Sequence, residues 1–233
     1  MIRVLNIIET IGSGGVERRR LSMAKLLDKS LFELKIICTN SYGPFADEIR
    51  ECGVEVIEIG SLSSFLDIKQ HQKVQKIISD FKPHIVHGAI FEGVTMASIN
   101  GFLKRVPIIV VEETSDPQTR SWKANLLMKA LTLPANKAIG VSPAATNYLI
   151  NTLKISTNKV QLITNGIAEP RAVAIDETLL LKKQLAISEY EIVIGSVGRM
   201  TDDSNKRFSD LINAFAILAK KQLPVKLVLV GDG

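Results

Sequence analysis

The sequence predicts an α/β protein built on a doubly wound parallel sheet, and three observations support this prediction. Short runs of β-branched residues alternate with longer segments of helical periodicity, which is the pattern of βαβ units. The runs are apolar at consecutive positions, as in strands that helices cover on both faces. The 233 residues are 46% hydrophobic and 23% charged, which is typical of a globular protein with a sizeable core.

Six strands and six helices make up the predicted first domain. Each strand is a short run rich in Val and Ile, at residues 3–8, 34–38, 54–59, 84–88, 107–111 and 137–141. Each helix follows one of these runs and has apolar residues at helical spacing, at residues 16–28, 45–52, 67–81, 92–104, 121–133 and 143–153. The alternation falters after the stretch KVQLITNGI, so we expect this domain to cover residues 1–172.

The sequence pattern of residues 173–233 predicts part of a second domain. A linker-like stretch, AEPRAVAIDE, precedes a weak helix at 178–186. A strand at 192–198, a helix at 208–221 and a strand at 225–230 follow. Two strands and one helix are too few to cover both faces of a sheet, so we expect this domain to be incomplete.

Charge and composition narrow the possible partners. The net charge of +5 favours anionic partners such as phosphates, nucleic acid or an anionic membrane surface, and charge alone does not choose among them. No apolar run reaches the length of a membrane span or a secretory signal, so we expect a cytoplasmic protein. Cys38 and Cys52 are then expected to be reduced thiols without a role.

Two cations mark the first candidate site, in the stretch IVIGSVGRMTDDSNKRF. Ligands of open parallel sheets bind beyond the carboxyl ends of the strands, where Arg199 is predicted to lie. Lys206 comes just before the next helix, whose N-terminus itself favours an anion. Together they suit a phosphate or a diphosphate. The alternative is a solvated turn in which Asp202 and Asp203 neutralise the two cations.

A glycine-rich loop marks the second candidate site, in the stretch ETIGSGGVERRR. Gly12, Gly14 and Gly15 would let a ligand approach the backbone before the first helix. The loop fails as a dinucleotide fingerprint because Glu17 occupies the place of the third glycine. The second strand also ends in CTN, without the acidic residue that would bind a ribose. A tight strand-to-helix connection without any ligand is the alternative.

Taken in order, these motifs resemble those of a known family. The motifs are Gly14-Gly15-Val16-Glu17, TNGI at 164–167, VGR followed by Lys206 and LINAFAIL, and LVLVGDG near the end. They resemble the retaining glycosyltransferases of the GT-B fold, family four, over nearly the whole chain. The resemblance implies two Rossmann-like domains that face each other across a cleft, with the acceptor on the N-terminal domain and the nucleotide-sugar donor on the C-terminal one.

The resemblance also implies roles for individual residues. Arg199 and Lys206 would bind the donor's diphosphate, and Gly15 would offer backbone N–H groups. Asn165 and Gly166 would lie beside the hinge. The remaining substrate-binding positions would be Gly14, Glu17, His87, Gly198 and Gly231. Fixed cations would stabilise the leaving diphosphate without a metal or another cofactor. His71, His84 and His87 show no zinc-like spacing with the two cysteines, so no metal site is predicted.

The implied activity is transfer of a sugar from a nucleotide-diphosphate donor to a saccharide or lipid-linked acceptor, in cell-surface polysaccharide or glycolipid synthesis. Peripheral association with a membrane is a further expectation, and nucleic acid is not expected as a partner. Two other classes stay open. One is a different enzyme on a related scaffold, such as a nucleotide-sugar epimerase or a dinucleotide oxidoreductase, and the missing ribose acid argues against the latter. The other is a catalytically degenerate binding module.

Three departures from the family pattern qualify the resemblance. The spacing from Arg199 to Lys206 is longer than the commoner form. Glu113, in EETSDP, stands where the family usually has a histidine near the reacting sugar, so we consider it as a stabilising carboxylate or general base. The alternative to a catalytic role is that Glu112 or Glu113 caps the following segment or pairs with a neighbouring Lys or Arg. The family's paired-glutamate motif lies beyond residue 233, so the chain looks cut short and is expected to be inactive alone.

Two further groups are assigned by position. His87 would end a strand at the cleft and contact substrate, and its alternative is a structural histidine bonded to the backbone. His84 is expected to be a satisfied core residue. Arg18, Arg19 and Arg20 fall on successive sides of a helix, so we expect a solvated surface there, with a membrane or an anionic acceptor as the alternative.

Overall fold

The chain divides into two units, Met1–Ile167 and Ala168–Gly233. The structure is a computed structural model that describes residues 1–12, 14–115, 117, 120–167, 169–198, 200 and 206–231. The division lies five residues before the predicted end of the first domain at 172. The first unit contains a seven-stranded sheet whose paired strands are parallel, which confirms the predicted fold class.

The strands of the described residues follow the predicted apolar runs. They are β1 (Ile2–Ile7), β2 (Thr10–Ile11), β3 (Phe32–Cys38), β4 (Asn40–Ser41), β5 (Glu55–Glu58), β6 (Ile85–Ala89), β7 (Ile108–Glu113), β8 (Lys137–Gly140), β9 (Val160–Leu162), β10 (Ile192–Val197) and β11 (Val225–Val230). The short pair β2 and β4 and the strand β9 were not predicted, because two or three residues are too few to produce a periodic pattern.

The helices occupy the intervals between the strands. They are α1 (Gly15–Leu26), α2 (Pro44–Glu51), α3 (Ile68–Phe81), α4 (Ile90–Leu103), α5 (Trp122–Thr132), α6 (Pro143–Asn147), α7 (Ile175–Gln184) and α8 (Phe208–Lys220). The predicted helix at 143–153 changes after Asn147 into a π-helical turn, Tyr148–Thr152. The weak helix α7 begins three residues earlier than predicted.

The order of the strands creates a switch point in the sheet between β1 and β6. The strands of the first unit follow the order β5-β3-β1-β6-β7-β8-β9. The chain therefore builds outward from β1 in one direction and then, from β6, in the other. In such sheets the connections on the two sides of this switch point leave a crevice at the carboxyl ends of the strands, and ligands bind there. The crevice of this sheet lies beyond the ends of β1 and β6.

Two hydrophobic clusters form the core of the first unit. One cluster packs α1 and α2 onto the sheet through residues such as Ile8, Leu21 and Ile49. The other packs α3, α4 and α5 through residues such as Val74 and Met128. The clusters lie on opposite faces because connections that run in opposite directions along a parallel sheet cross over on opposite faces.

The second unit contains the parallel pair β10 and β11, joined by α8. Among the described residues of α8, Phe208 is the one that is buried. A two-stranded sheet with one helix buries little apolar surface, so the second unit adds little stability of its own. No helix in the described parts of either unit is long and apolar enough to cross a membrane.

Candidate functional site

The glycine-rich loop connects β1 to α1 at the switch point of the sheet. A Cβ atom at Gly12 would lie 2.7 Å from the hydroxyl of the exposed Tyr42 side chain, so the space beside this glycine is taken by protein. A Cβ atom at Gly14 would meet the Glu17 carboxylate. At Gly15 no atom lies within 4 Å of that position apart from its chain neighbours and the backbone of its own helix, and the N-cap residue, Gly14, offers no side-chain cap. Gly15 is therefore the glycine of this loop that has open space beside it, and its contact with a ligand stays a prediction.

Three carboxylates lie near this crevice. Glu9 follows β1, and burial raises its pKa. The negative charges of Glu92 and Glu17 raise the pKa of Glu9 further. This acidic grouping opposes the attraction that the N-terminus of α1 has for a phosphate. It suits hydroxyl groups, and Glu9 is a potential proton acceptor that the sequence analysis did not identify.

Backbone strain also occurs at the crevice. Ile90, the first residue of α4, has a φ of 64°, in the left-handed region that β-branched residues rarely adopt. The strain is maintained because α4 packs closely on the sheet. Strained backbone of this kind is concentrated at ligand-binding and catalytic sites in proteins.

A buried ionic cluster fixes α1 to the end of β7. Glu112 accepts hydrogen bonds from Arg19 and from Arg20, the latter at 3.0 Å. The Arg20 side chain is 2% exposed, so the predicted solvated surface is wrong at this position. Arg20 lies on the same stripe of α1 as the buried residues Leu21 and Ala24, and this spacing is the signal that the sequence offered.

Electrostatics keep the cluster charged. Burial opposes ionisation of Glu112, but the contact with His87 and the charges of Arg20 and Arg19 outweigh it and hold the pKa of Glu112 well below its usual range. Burial lowers the pKa of His87, and the two arginines lower it further against the opposing effect of Glu112. We therefore assign a neutral imidazole next to an ionised carboxylate.

His87 belongs to this cluster. Its Nδ1 atom lies 3.1 Å from the amide nitrogen of Asn6. Its Nε2 atom lies 3.1 Å from Glu112, but the direction of that contact does not satisfy hydrogen-bond geometry. The ring is buried between the sheet and α1. These surroundings match the structural alternative for His87, except that its partners are side chains and not the backbone. His84 accepts a hydrogen bond from the backbone of Arg3 at 2.9 Å.

Glu113 points to the opposite face of the sheet from Glu112. Arg120 donates to Glu113 at 3.0 Å and to the Tyr148 hydroxyl at 2.8 Å. Tyr148 in turn donates to the side-chain oxygen of Asn125 at 2.7 Å. The Glu113 side chain is 6% exposed, and it also accepts two longer hydrogen bonds from Ser115. The structure thus contains the ion pair that was the alternative to catalysis.

A polar recess opens beside this ion pair. Its volume is about 380 Å³, and the polar groups on its wall belong to Arg120, Asn125, Asn147, Tyr148 and Thr152. Burial raises the pKa of Tyr148, although the Arg120 guanidinium partly offsets this, so the hydroxyl stays a neutral donor and acceptor. Amide, hydroxyl and guanidinium groups of this kind are suited to bind the hydroxyls of a sugar.

Three of the predicted donor-side residues meet in the second unit. A Cβ atom at Gly198 would lie 3.7 Å from the Lys206 side chain. Gly231 has a φ of 149°, and a Cβ atom there would overlap the Gly198 carbonyl. Gly198, Lys206 and Gly231 therefore lie together at the carboxyl ends of β10 and β11. Arg199, the other predicted cation, lies outside the described residues.

Arg207, the N-cap residue of the helix after Lys206, makes no side-chain cap. Arg207 precedes α8 in a left-handed conformation and pairs with Asp210. Lys206 itself is exposed. Asn165 and Gly166 are exposed residues in the last segment of the first unit. No group of three or more His, Cys, Asp or Glu residues in the described chain is arranged to hold a metal ion.

Comparison with known proteins identifies similar sequences and folds. The family model described as Glycosyltransferase Family 4 matches residues 13–169. No curated protein sequence matches the chain. A crystal structure of Anabaena HepE in complex with UDP and glucose is 18% identical, with a TM-score of 0.78, and covers 100% of this chain and 62% of its own. This chain therefore spans less than two thirds of that protein.

Two further solved structures have the same fold. A glycosyltransferase from Rickettsia africae is 17% identical, with a TM-score of 0.74, over 98% of this chain and 68% of its own. A UDP-GlcNAc 2-epimerase from Neisseria meningitidis, bound to UDP-GlcNAc, is 15% identical, with a TM-score of 0.60, over 98% of this chain and 65% of its own. At these identities the similarity establishes the fold alone.

Proposed function

Since the chain belongs to Glycosyltransferase Family 4, we propose that it moves a sugar from a nucleotide-diphosphate donor to a saccharide or lipid-linked acceptor, with retention of the anomeric configuration. The observation that carries the proposal is the crevice of the first unit, where Gly15 leaves the start of α1 open next to potential proton acceptors. The UDP and glucose bound by the similar Anabaena protein support a nucleotide-sugar donor. Synthesis of a surface polysaccharide or glycolipid is the setting that we propose.

The donor's diphosphate is proposed to bind at Arg199 and Lys206. Lys206 supplies a positive charge just before the start of α8, and the N-terminal end of a helix also attracts an anion. Charge builds on the diphosphate as the anomeric bond breaks, so fixed cations there stabilise the transition state more than the ground state. The close contact of Gly231 with Gly198 supports a role for these glycines in shaping the loop.

The acceptor is proposed to bind in the crevice and the polar recess of the first unit. Gly14, Gly15 and Glu17 would line the crevice, and Asn165 with Gly166 would act as hinge residues. Glu9, whose pKa is raised, is proposed to take the proton of the acceptor hydroxyl.

Glu113 is proposed to position the acceptor through Arg120. The ion pair holds the guanidinium at the wall of the recess, where it can donate to an acceptor hydroxyl. A direct role of the Glu113 carboxylate at the reacting sugar is the competing assignment, and it requires the ion pair to open. His87 is proposed to act in the same indirect way, by holding the end of β7 and α1 together.

Product analysis with the full-length protein tests the proposal. A panel of nucleotide sugars with saccharide and lipid-linked acceptors should give a glycoside with the anomeric configuration of the donor. Arg199→Ala should weaken nucleoside-diphosphate binding by about 1.5–3 kcal/mol, the range for hydrogen bonds to charged groups. Lys206→Ala should weaken it in the same direction, and Lys183→Ala, on the exposed surface of α7, is the matched control. Unchanged binding in the first two variants would remove these cations from the donor site.

A nucleotide-sugar epimerase is the second candidate, because the chain shares its fold with the epimerase from Neisseria meningitidis. An epimerase changes the donor without any acceptor. Conversion of the nucleotide sugar alone would therefore favour this candidate. Donor binding with neither reaction would favour a binding module.

A further inference from the structure

Large apolar side chains are exposed on the outer side of α4 and α5. Five large side chains on it are each 58–71% exposed: Phe102, Leu103, Trp122, Leu126 and Leu133. Trp122, Leu126 and Leu133 follow one another at helical spacing along α5 and just beyond its end. Large apolar side chains gathered on one face mark an interaction surface, whereas single exposed ones need no explanation. We call this surface the α4–α5 face.

A groove makes the α4–α5 face concave at one end. It has a volume of about 420 Å³ and lies between the last turns of α4 and α5. Ile99, Phe102, Leu131, Leu133 and Pro134 are among the residues that line it. A groove of this size with mainly apolar walls accepts a hydrocarbon segment better than a polar ligand.

Four cations surround the apolar residues. Lys104 and Arg105 follow α4, and Lys123 and Lys129 lie on α5, all of them exposed. α5 itself contains no acidic residue. Among the residues that the structure describes, no carboxylate pairs with any of the four cations. The face therefore presents apolar and positive groups together.

This combination leads us to infer that the α4–α5 face binds the surface of an anionic lipid bilayer. Apolar side chains enter the boundary between headgroups and acyl chains, and Lys and Arg pair with anionic headgroups. Tryptophan favours that boundary because its ring is apolar and its N–H is polar. A second copy of the chain fits less well, since a two-fold contact would bring the same cations close to one another.

The inference does not depend on the proposed transferase activity, because membrane binding requires neither donor nor acceptor. It gives that activity a location, since a lipid-linked acceptor would be held at the same bilayer. Failure of either proposal can therefore be recognised separately.

Trp122 allows a direct test, because it is the one tryptophan of the sequence. The protein is mixed with vesicles of phosphatidylcholine, or of equal parts phosphatidylcholine and phosphatidylglycerol. We expect the anionic vesicles to shift the emission of Trp122 to shorter wavelength and to carry the protein into the pellet on sedimentation. We expect salt to weaken this binding, since exposed charges are screened. The neutral vesicles should bind much less protein.

Paired variants identify the surface. Lys123→Gln/Lys129→Gln and Phe102→Ser/Leu133→Ser should each weaken vesicle binding on the order of tenfold or more. The matched controls lie at and beyond the end of α1: Lys25→Gln/Lys29→Gln removes the same charge, and Leu26→Ser/Leu31→Ser the same kind of exposed apolar group. All four pairs change exposed side chains, so the fold should persist.

Three results would overturn the inference. One is the absence of binding to anionic vesicles. Another is binding that the control pairs weaken as much as the α4–α5 pairs do, because another surface would then be responsible. The third is a blue shift of Trp122 that depends on protein concentration without vesicles, because the face would then bind a second copy.

Discussion

Replacing Glu112 with Gln should lower the free energy of unfolding of the first unit by about 3–5 kcal/mol, the range for removing one partner of a buried ion pair. The carboxylate is 4% exposed and Arg20 is 2% exposed, so water cannot replace the lost charge. Arg19, at 15% exposed, loses the same partner. Gln has the shape of Glu, so the loss comes from charge and not from a cavity.

Urea unfolding at neutral pH, followed by far-ultraviolet circular dichroism, measures this change. Helices α1 to α6 lie in the first unit, so the helical signal reports mainly on that unit. Glu55→Gln is the matched control, because Glu55 pairs with Lys35 at 2.6 Å but is 57% exposed. Exposed pairs contribute about 0–1 kcal/mol. If Glu112→Gln destabilises the unit no more than Glu55→Gln does, the argument from burial is refuted.

The dependence on pH gives an independent check. The pKa of Glu112 lies well below its usual value of 4.5 in the folded protein. The ion pairs therefore contribute fully above pH 4.5, and their contribution declines as the pH falls below it, because the unfolded chain then takes up the proton first. The difference in unfolding free energy between the wild type and Glu112→Gln should shrink by about 1.4 kcal/mol per pH unit below that point. A difference that does not vary with pH would contradict the assignment of an ionised Glu112.

Three other expectations follow from the same structure. Gly93→Ala should destabilise the first unit by about 1–3 kcal/mol in urea, because its Cβ atom would lie 2.9 Å from the carbonyl carbon of Ile7, whereas Gly15→Ala should be neutral or stabilise by up to about 1 kcal/mol. Glu113→Gln should raise the KM for acceptor with little change in kcat, and a loss on the order of a hundredfold in kcat would instead support direct catalysis by the carboxylate. Backbone amides of β10 and β11 should exchange with deuterium faster than those of β1 and β6, because their sheet has two strands and little buried surface; equal protection in a monomer would contradict this.

The sequence was sufficient to predict the fold class and most elements of the first unit. Its strands are uninterrupted apolar runs, and covered parallel strands have that pattern. It was not sufficient for β2, β4 and β9, which are set by pairing with neighbours already in place. The π-helical turn after Asn147 was missed for a similar reason, since the turn places Tyr148 against Arg120 through tertiary contacts.

The candidate site was predicted less completely than the fold. Gly15 and Lys206 could be selected from local motifs, because a loop before a helix already suggests an anion site. Arg20 could not be selected by hydrophobicity, which treats arginine as a surface residue, although its stripe on α1 is buried. Arg120 and Glu9 could not be selected at all, since each also depends on a distant residue: Arg120 on Tyr148, and the pKa of Glu9 on Glu92.

Glu112 and Glu113 illustrate how the register of one strand decides function. Successive residues of a strand point to opposite faces, so one carboxylate holds α1 and the other holds Arg120 at the polar recess. The first anchors the helix that begins at the glycine-rich loop, and the second shapes a wall that is proposed to contact the acceptor. A change at Glu112 should therefore act on stability and on the position of the loop, while a change at Glu113 should act on acceptor binding. Adjacent residues of identical chemistry thus have separable effects, because the end of β7 lies between two different layers of the protein.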